Sequence, residues 1–182
     1  MQSSHEIRDP SAWVVRWAPL VPPAGEVLDL ACGYGRHARL FAARGCRVLA
    51  VDRDREALAQ LADVPGVTTQ QADLEGAPWP FPPGRFAAVV VTNYLHRPLL
   101  DALLASIGAG GVLVYETFML GNERFGKPSN PDFLLRPGEL LEVVRGRLDV
   151  VAFEQGWVEA PRAAVLQRIC ALRGNVGTAK LP

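Results

Sequence analysis

The stretch VLDLACGYGRH, residues 27–37, determines how the rest of this 182-residue chain is interpreted. It begins as an apolar run, which is typical of a strand buried on both faces. It then turns through two glycines into a helical pattern that ends at Gly45. A second apolar run follows over residues 48–51 and ends in Asp52. Strand, glycine turn, helix, strand and acid, in this order, predict a nucleotide-binding βαβ unit.

The residues of this unit also indicate which nucleotide it binds. Gly33, Gly35 and Ala38 fit the dinucleotide pattern G-x-G-x-x-A, and Asp52 is placed to accept hydrogen bonds from ribose hydroxyls. Asp29, however, precedes the turn by four residues, where a carboxylate would repel a pyrophosphate at the helix N-terminus. A sulfonium ligand with an α-ammonium group is attracted to a carboxylate at that position. Asp29 therefore favours S-adenosylmethionine over NAD.

Residues 28–36, LDLACGYGR, resemble motif I of the class I S-adenosylmethionine-dependent methyltransferases. The family pattern is acid-x-Gly-x-Gly-x-Gly, and this chain has Ala31 where the first glycine is usual. The resemblance implies that Asp29 and the two glycines line the methionine part of the cofactor and that Asp52 binds its ribose. The alternative is a structural βα turn that binds no ligand.

The resemblance also assigns residues farther along the chain. In this family an acid after the third strand commonly bonds the adenine amino group, and Asp73 matches that position. Arg53 either flanks the adenine or belongs to a solvated face. The predicted cofactor-binding residues are Asp29, Ala31, Cys32, Gly33, Gly35, Asp52, Arg53, Asp73, Leu74 and Asn93.

Alternating strand and helix patterns predict an α/β fold. Two strand patterns without a helix between them, residues 148–154 and 163–171, close the chain, as is usual in the methyltransferase family. We expect a Rossmann-like, doubly wound, seven-stranded, mostly parallel sheet with a C-terminal antiparallel strand pair. Before this pair, Gly-Ala-Gly-Gly at residues 108–111 predicts a turn between a helix over 98–107 and the fifth strand.

We expect a single methyltransferase domain over residues 1–182. Its predicted parts are an N-terminal helix and lead-in (1–24), the core (25–173) and a flexible tail (174–182). In the N-terminal helix, Trp13 and Trp17 lie four residues apart. They either pack on the core, which we favour, or belong to a lid over the cofactor.

The residues after the strand pattern at 86–91 are the catalytic candidates, because ligands of open α/β sheets bind beyond the carboxyl ends of the strands. His96 is the first candidate for a general base, and Tyr94 is the second. His96 alternatively caps or packs the helix that follows. The segment around Asn93 lacks the Asn-Pro-Pro-Tyr motif of methyltransferases that act on nucleic-acid amino groups.

The segment 119–136 has no usable periodicity and follows the fifth strand. A long loop in a compact domain is usually functional or disordered, and we interpret this one as a lid on the substrate side. Candidates to contact a polar or anionic substrate are Glu116, Arg124, Lys127 and Asn130. Solvated loop charges are the alternative interpretation.

Composition limits the partners of the chain. Nineteen basic residues balance nineteen acidic ones, which gives no excess charge for nonspecific nucleic-acid binding. No apolar run has the length of a membrane span, and the N-terminus lacks a signal-peptide core. The three cysteines are dispersed without metal-site spacing, which is typical of buried residues in a reducing cytoplasm. We expect a cytoplasmic monomer or homodimer that acts on a small molecule, without metal or nucleic acid.

The short chain most resembles the small bacterial tellurite-resistance-type methyltransferases, through Arg36-His37 and residues 133–140. The resemblance implies methyl transfer from S-adenosylmethionine to a small thiol, chalcogen oxyanion or hydroxyl acceptor by in-line displacement. Two alternatives remain. One is an NAD-dependent oxidoreductase, which needs a substrate domain. The other is a non-catalytic module that binds cofactor and a partner.

Overall fold

A seven-stranded sheet organises the chain, in a computed structural model that describes residues 9–182. The strands are β1 (Glu26–Leu30), β2 (Arg47–Asp52), β3 (Val67–Gln71), β4 (Phe86–Thr92), β5 (Ile107–Phe118), β6 (Asp149–Val158) and β7 (Ala164–Leu172). Their order is β3-β2-β1-β4-β5-β7-β6. The first five strands are parallel, and β7 runs antiparallel to both β5 and β6. The predicted fold class and its closing hairpin are confirmed.

Five short helices cover the two faces of this sheet. They are α1 (Ala12–Trp17), α2 (Arg36–Ala43), α3 (Arg55–Ala59), α4 (Leu100–Ala105) and α5 (Glu139–Val144). The first three helices share one apolar cluster with the sheet, and α4 and α5 share the other. None of the helices in the described range 9–182 combines the length and the apolar character that crossing a membrane requires.

Strand β1 lies in the middle of the sheet and shows how its two faces are used. Leu28 and Leu30 enter the cluster of α4 and α5, whereas Val27 enters the cluster of the first three helices. This alternation follows from the two-residue period of a strand. Asp29 therefore points to the same face as Val27 and is only 1% exposed. A carboxylate buried on this face is an exception among the apolar residues that surround it.

The prediction of a turn at residues 108–111 is wrong, because these glycines lie within β5. A register shift between Phe86 and Ala88 of β4 accommodates them. A Cβ atom on Gly108 would lie 2.9 Å from the Gly84 carbonyl oxygen, and one on Gly111 would lie 3.0 Å from that of Phe86. The glycines thus allow close approach of two backbones rather than a change of direction.

The predicted helix over 98–107 is also too long. A short 3-10 helix, Arg97–Leu99, precedes α4, which itself begins at Leu100 and ends at Ala105. Pro98 fixes the backbone of this first turn, and Ile107 already belongs to β5.

The segment 119–136 is better ordered than the sequence indicates. It contains two 3-10 helices, Asn122–Arg124 and Pro131–Phe133, and Met119 pairs with Leu135. The side chain of Asn122, 1% exposed, accepts from the Val165 N–H and donates to the Pro128 carbonyl. These bonds give the segment a fixed shape that hydrophobic periodicity does not reveal.

Two groups of aromatic side chains pack together, and the first of them, in α1, does so as the sequence predicts. Trp13 and Trp17 are buried, with ring centroids 5.7 Å apart, which supports packing of α1 on the core. In the irregular segment 75–85, Phe81 lies between Trp79 and Phe86 in edge-on contacts of 5.1 and 5.4 Å. The three cysteines are free and buried, as predicted. In the predicted tail, residues Val176–Thr178 form a 3-10 helix.

Candidate functional site

The carboxyl ends of β1, β2 and β4 bring the predicted cofactor residues to one edge of the sheet. Asp29 lies beneath this edge. One of its carboxylate oxygens, Oδ2, is buried without a hydrogen-bond partner. Burial raises the pKa of Asp29 to about 7, against the opposing effects of the Ala38 N–H and the Arg36 guanidinium. A buried carboxylate with an unused oxygen is suited to receive a cation.

The glycine turn and Asp52 are joined directly. The Asp52 carboxylate accepts from the Gly33 N–H at 2.8 Å and from the Asp54 N–H at 2.9 Å, one bond on each oxygen. Each oxygen keeps a further lone pair for a ligand hydroxyl. The Cys32 N–H donates to the Val51 carbonyl, which fixes the start of the turn on β2. Asp52 thus holds the turn and stays half-buried at the edge of the site.

The two glycines of the turn have different surroundings. Gly33 has φ of +53°, and a Cβ atom there would meet nothing within 4 Å. Gly35 has φ of +74°, and a Cβ atom there would collide with the side chain of Leu61, which is fully buried. Gly35 is therefore required by the packing of the fold, whereas Gly33 leaves open space beside the backbone for a ligand.

Two non-glycine residues at this edge also have left-handed backbones. Ala31 has φ of +51° and Asn93 has φ of +55°. Ala31 stands at the position where the family pattern has glycine, so its φ accounts for that glycine preference at a cost of about 1 kcal/mol here. Such conformations cluster at functional sites. Asn93 is exposed, and its N–H donates to the Glu116 carbonyl, which ties the end of β4 to β5.

The predicted adenine residues lie beyond β2 and β3. Asp73 is exposed, and its Oδ1 accepts from the N–H groups of Glu75 and Gly76. Leu74 is 8% exposed and packs in the cluster of α4 and α5. Arg53 is exposed, and its carbonyl accepts from the Gln71 side chain. These contacts leave the assignment of adenine to this region a prediction.

The two catalytic candidates follow β4, between β1 and β5. Burial, together with the charge of Glu75, raises the pKa of the Tyr94 hydroxyl above its ordinary value. Tyr94 therefore keeps its proton near neutral pH and is suited to donate a hydrogen bond rather than to act as a base. Its carbonyl accepts from the Tyr115 hydroxyl at 2.8 Å, which fixes this part of the chain. His96 is half-buried and precedes the 3-10 helix without a side-chain cap bond.

Arg97, which directly follows His96 beyond the end of β4, makes only internal contacts among those that the structure describes for its side chain. It makes a bidentate pair with Glu139, at 2.7 and 3.0 Å. It also donates to the carbonyls of Asp132 and Leu134. Glu139 is 4% exposed and also accepts from the Arg136 N–H. Arg97 thus fastens the segment 119–136 and the start of α5 to the end of β4.

The polar candidates around the segment 119–136 have separate roles. Glu116 is 6% exposed and is held by Ser11 and Arg168. Asn130 caps a 3-10 helix by accepting from the Asp132 N–H. Arg124 lies over the Phe125 ring and donates to the Gly121 carbonyl, while Lys127 is exposed. None of these contacts joins two of the four side chains.

The sequence analysis did not identify the polar residues around Glu116. His37, on the first turn of α2, is 1% exposed, and Ser11 and Arg168 contact Glu116 from two other elements. The available signal was a charged residue, Arg168, within the otherwise mostly apolar strand pattern at 163–171. A polar residue within such a run indicates a partner on the neighbouring strand.

Comparison with known proteins supports the methyltransferase interpretation of the first half of the fold. Residues 27–109 match the sequence profile of a methyltransferase domain family. This range begins in β1 and ends in β5. No curated protein sequence matches the chain.

Solved structures agree over most of the chain. TehB from Haemophilus influenzae has a TM-score of 0.76 at 18% identity, covering 90% of this chain and 62% of its own. This chain therefore spans less than two thirds of that protein's length. A TehB-like SAM-dependent methyltransferase from Corynebacterium glutamicum has a TM-score of 0.66 at 19% identity, covering 91% and 89%.

A third structure was solved with ligands. It is the 1,6-didemethyltoxoflavin-N1-methyltransferase of Burkholderia thailandensis, with bound 1,6-didemethyltoxoflavin and S-adenosylhomocysteine. Its TM-score is 0.64 at 20% identity, covering 90% of this chain and 77% of its own. At these identities the likenesses establish the fold.

Proposed function

We propose that this chain, which has the fold of the S-adenosylmethionine-dependent methyltransferases and resembles their class I members of the TehB type, transfers a methyl group to a small-molecule acceptor. The observation that carries the proposal is the buried carboxylate of Asp29, with one oxygen unpartnered beside the glycine turn. An α-ammonium group satisfies that oxygen, whereas a pyrophosphate does not.

The residues at the edge of the sheet fit S-adenosylmethionine. Asp29 would bind the ammonium group, the open space at Gly33 would admit the methionine chain, and Asp52 would accept from the ribose hydroxyls. Asp73 and Leu74 remain the predicted adenine contacts. The solved neighbours support this cofactor, since one of them contains S-adenosylhomocysteine.

The chemistry of the cofactor leaves the protein the tasks of positioning and water exclusion. When bound, the sulfonium supplies an activated methyl group for in-line displacement by the acceptor. The Asn93 N–H donates to the Glu116 carbonyl and the Tyr94 carbonyl accepts from the Tyr115 hydroxyl, so this wall of the site is held by β5. His96 would take a proton from a hydroxyl acceptor, whereas a thiolate or chalcogen oxyanion needs no base.

An open pocket of about 420 Å³ follows the ends of β4 and β5, which supports a small acceptor. The pocket is lined by Arg97, Leu120, Pro131, Asp132, Leu134 and Arg136. Both cations of this wall pair with Glu139, and the Arg136 side chain, 64% exposed, is more accessible than that of Arg97, 36% exposed. The Burkholderia neighbour, which was solved with a small heterocycle, also supports a small-molecule acceptor.

Calorimetric titration with S-adenosylmethionine, S-adenosylhomocysteine, NAD and NADP tests the proposal. We expect micromolar binding of the first two compounds and none of the others. Binding of NAD, or of none of the four, contradicts the proposal. Binding of S-adenosylmethionine without transfer to any thiol, chalcogen, amine or hydroxyl acceptor identifies a non-catalytic module instead.

Asp52→Ala is expected to weaken the binding of S-adenosylhomocysteine by about 10- to 150-fold, or roughly 1.5–3 kcal/mol, because hydrogen bonds to a charged group are lost. Asp54→Ala is the matched control. That carboxylate lies two residues away and caps α3 by accepting from the Glu56 and Ala57 N–H groups. Calorimetry measures both variants. Equal affinities in the two variants would remove Asp52 from the ribose site.

Gly35→Ala is expected mainly to lower the stability of the fold, whereas Gly33→Ala is expected mainly to lower cofactor affinity. At Gly35 the new methyl group meets Leu61, so we expect a loss of about 2–4 kcal/mol in unfolding free energy. At Gly33 only the backbone strain of about 1 kcal/mol applies, but the methyl group fills the ligand's space. Urea unfolding and calorimetry separate the two effects. Normal cofactor affinity in folded Gly33→Ala would contradict the assignment.

His96→Ala is expected to lower kcat by about 100-fold or more with a hydroxyl acceptor, the usual contribution of a general base. The affinity for S-adenosylhomocysteine should not change, because His96 is not among the predicted cofactor residues. Turnover at saturating cofactor provides the measurement. Near-normal turnover excludes His96 as an essential base and favours an acceptor that is already anionic.

A further inference from the structure

A row of polar side chains crosses four strands on the face that α1 covers. Thr92 of β4 is paired with Glu116 of β5, Glu116 with Arg168 of β7, and Arg168 with Glu154 of β6. Arg168 Nε lies 2.6 Å from Glu116 Oε2, and its Nη1 lies 3.4 Å from Glu154 Oε2. The neighbouring row on this face, two residues away along each strand, includes Val114 and Cys170 and is apolar and buried.

The N-terminus of α1 is bonded to the inner end of this row. The Ser11 hydroxyl donates to Glu116 Oε1 at 2.8 Å, and the Ser11 N–H donates to His37 Nε2 at 3.1 Å. The other ring nitrogen of His37, Nδ1, lies 3.5 Å from the Thr92 hydroxyl. Since Nε2 accepts, the neutral ring carries its proton on Nδ1, facing Thr92.

The outer end of the row is bonded to the same helix. Arg16 is on the last turn of α1, and its Nη1 lies 3.3 Å from Glu154 Oε1. The central carbon of its guanidinium lies 4.9 Å from the centroid of the Trp17 ring. Between the two ends, the Trp13 indole N–H donates to the Ile169 carbonyl of β7. Directional hydrogen bonds therefore hold helix α1 in place at both ends and in the middle.

The contacts at the N-terminus of α1 involve the residues that directly follow the glycine turn. Arg36 and His37 are the first two residues of α2 and follow Gly35 directly. The Asp9 carbonyl accepts from Arg36, and Ser11 contacts His37. Burial, with the charge of Arg36, lowers the pKa of His37 to about 3, so its ring stays a neutral acceptor at physiological pH. A shift of α1 moves an anchor of the turn itself.

We propose that Ser11, His37 and Glu116 are positioning residues that couple the seating of α1 to the cofactor turn, so that cofactor binding and helix seating strengthen each other. The inference rests on the proposed function. Linkage requires the effect to be reciprocal: a bound cofactor tightens α1, and a loosened α1 weakens cofactor binding.

The chemistry of the row is what favours this role over simple packing. Trp13, Val14 and Trp17 already provide α1 with an apolar face. The buried Glu116 carboxylate and the partly exposed Arg168 guanidinium add little net stability beside that face, because desolvation offsets their attraction. What Glu116 adds is direction, since its hydrogen bond with the Ser11 hydroxyl forms at one position of the helix only.

Hydrogen exchange measured by mass spectrometry, with and without saturating S-adenosylhomocysteine, tests the coupling. In the wild-type protein we expect the ligand to slow the exchange of α1 amides at least 10-fold. In Ser11→Ala we expect the slowing to fall below about 2-fold and the ligand affinity to drop by 5- to 20-fold. The control Glu26→Gln breaks an ion pair with Arg85 at the opposite end of β1 and should match the wild type.

Two variants of His37 distinguish a positioning role, which depends on its hydrogen bonds, from simple filling of space. His37→Gln can accept from the Ser11 N–H and donate to Thr92, so it should keep affinity within about 3-fold of the wild type. His37→Phe fills the space without accepting and should resemble Ser11→Ala.

Failure of the coupling and failure of the proposed function give different results. If the ligand protects the turn but not α1 in the wild type, or protects α1 equally in Ser11→Ala, the coupling is wrong and the proposed function stands. Equal affinities of His37→Gln and His37→Phe also overturn it. If the wild-type protein binds no S-adenosylhomocysteine, the proposed function fails and this inference fails with it.

Discussion

Asp29→Asn is expected to weaken the binding of S-adenosylhomocysteine at pH 8 by about 100-fold, roughly 2.7 kcal/mol. The charge that attracts the α-ammonium group is lost, while the size and position of the side chain are kept. The unpartnered Oδ2 of the wild-type carboxylate is the atom on which this prediction depends. Calorimetry at pH 8 measures the effect, and unchanged affinity would contradict the proposed role of Asp29.

The same substitution is expected to stabilise the ligand-free protein at high pH. Burial raises the pKa of Asp29 from 3.8 to about 7. Between these values the unfolded chain is ionised and the folded one is not, so the wild-type protein loses stability as the pH rises. The variant has no such loss. Its unfolding free energy relative to wild type should therefore grow by about 2–4 kcal/mol between pH 4 and pH 8, as measured by urea unfolding.

An Asp29→Asn variant that loses cofactor affinity and gains stability carries the signature of a functional charge. A residue present only for the fold would lower both when replaced. Glu26→Gln, on the same strand but at the surface, is the control. Its ion pair with Arg85 is partly exposed, so its stability should change by at most about 1 kcal/mol at either pH.

Arg97→Ala is expected to lower the unfolding free energy by about 2–4 kcal/mol. The variant leaves the carboxylate of Glu139, 4% exposed, without its bidentate partner. Removing one member of a buried pair typically costs 3–5 kcal/mol, and the 36% exposure of the guanidinium reduces this. Urea unfolding at pH 7 measures the loss, and Arg85→Ala, from the pair with Glu26, should lose at most about 1 kcal/mol.

The pH dependence identifies the cause of the Arg97→Ala loss. Burial tends to raise the pKa of Glu139, but the bonds from Arg97 outweigh it and hold the pKa below its ordinary value. A depressed carboxyl pKa stabilises the folded state above the unfolded pKa, and this contribution is lost as the pH falls. The difference between wild type and variant should therefore shrink below about pH 4. A constant difference would assign the loss to packing instead.

The sequence predicted the order of strands and helices well because hydrophobic period and glycine position are local properties. The apolar runs at 27–30 and 86–91 became the central strands β1 and β4, and Asp54 caps α3 as its residue type suggests. The turn predicted at 108–111 failed for a non-local reason. The glycines there are needed because the backbone of residues 84–86, more than 20 positions earlier, lies too close for a side chain.

The candidate site likewise contains residues that local sequence patterns revealed and residues that only the structure revealed. Asp29 and Asp52 were recognisable because each stands at the end of an apolar run in a known order of elements. The structural role of Arg97 was not, because its partner, Glu139, is 42 residues away and nothing in the local pattern links them. The same holds for Ser11 and Glu116, which are separated by 105 residues.

The sequence by itself determined the fold class, the glycine turn and the acids that surround it, since these depend on strand period, backbone freedom and charge within short segments. Only the tertiary structure decided which polar groups meet. It paired Arg97 with Glu139 and placed Ser11 between His37 and Glu116. The physical reason is that a buried polar side chain must be satisfied by whichever element packs against it, and that element is fixed by the assembled fold.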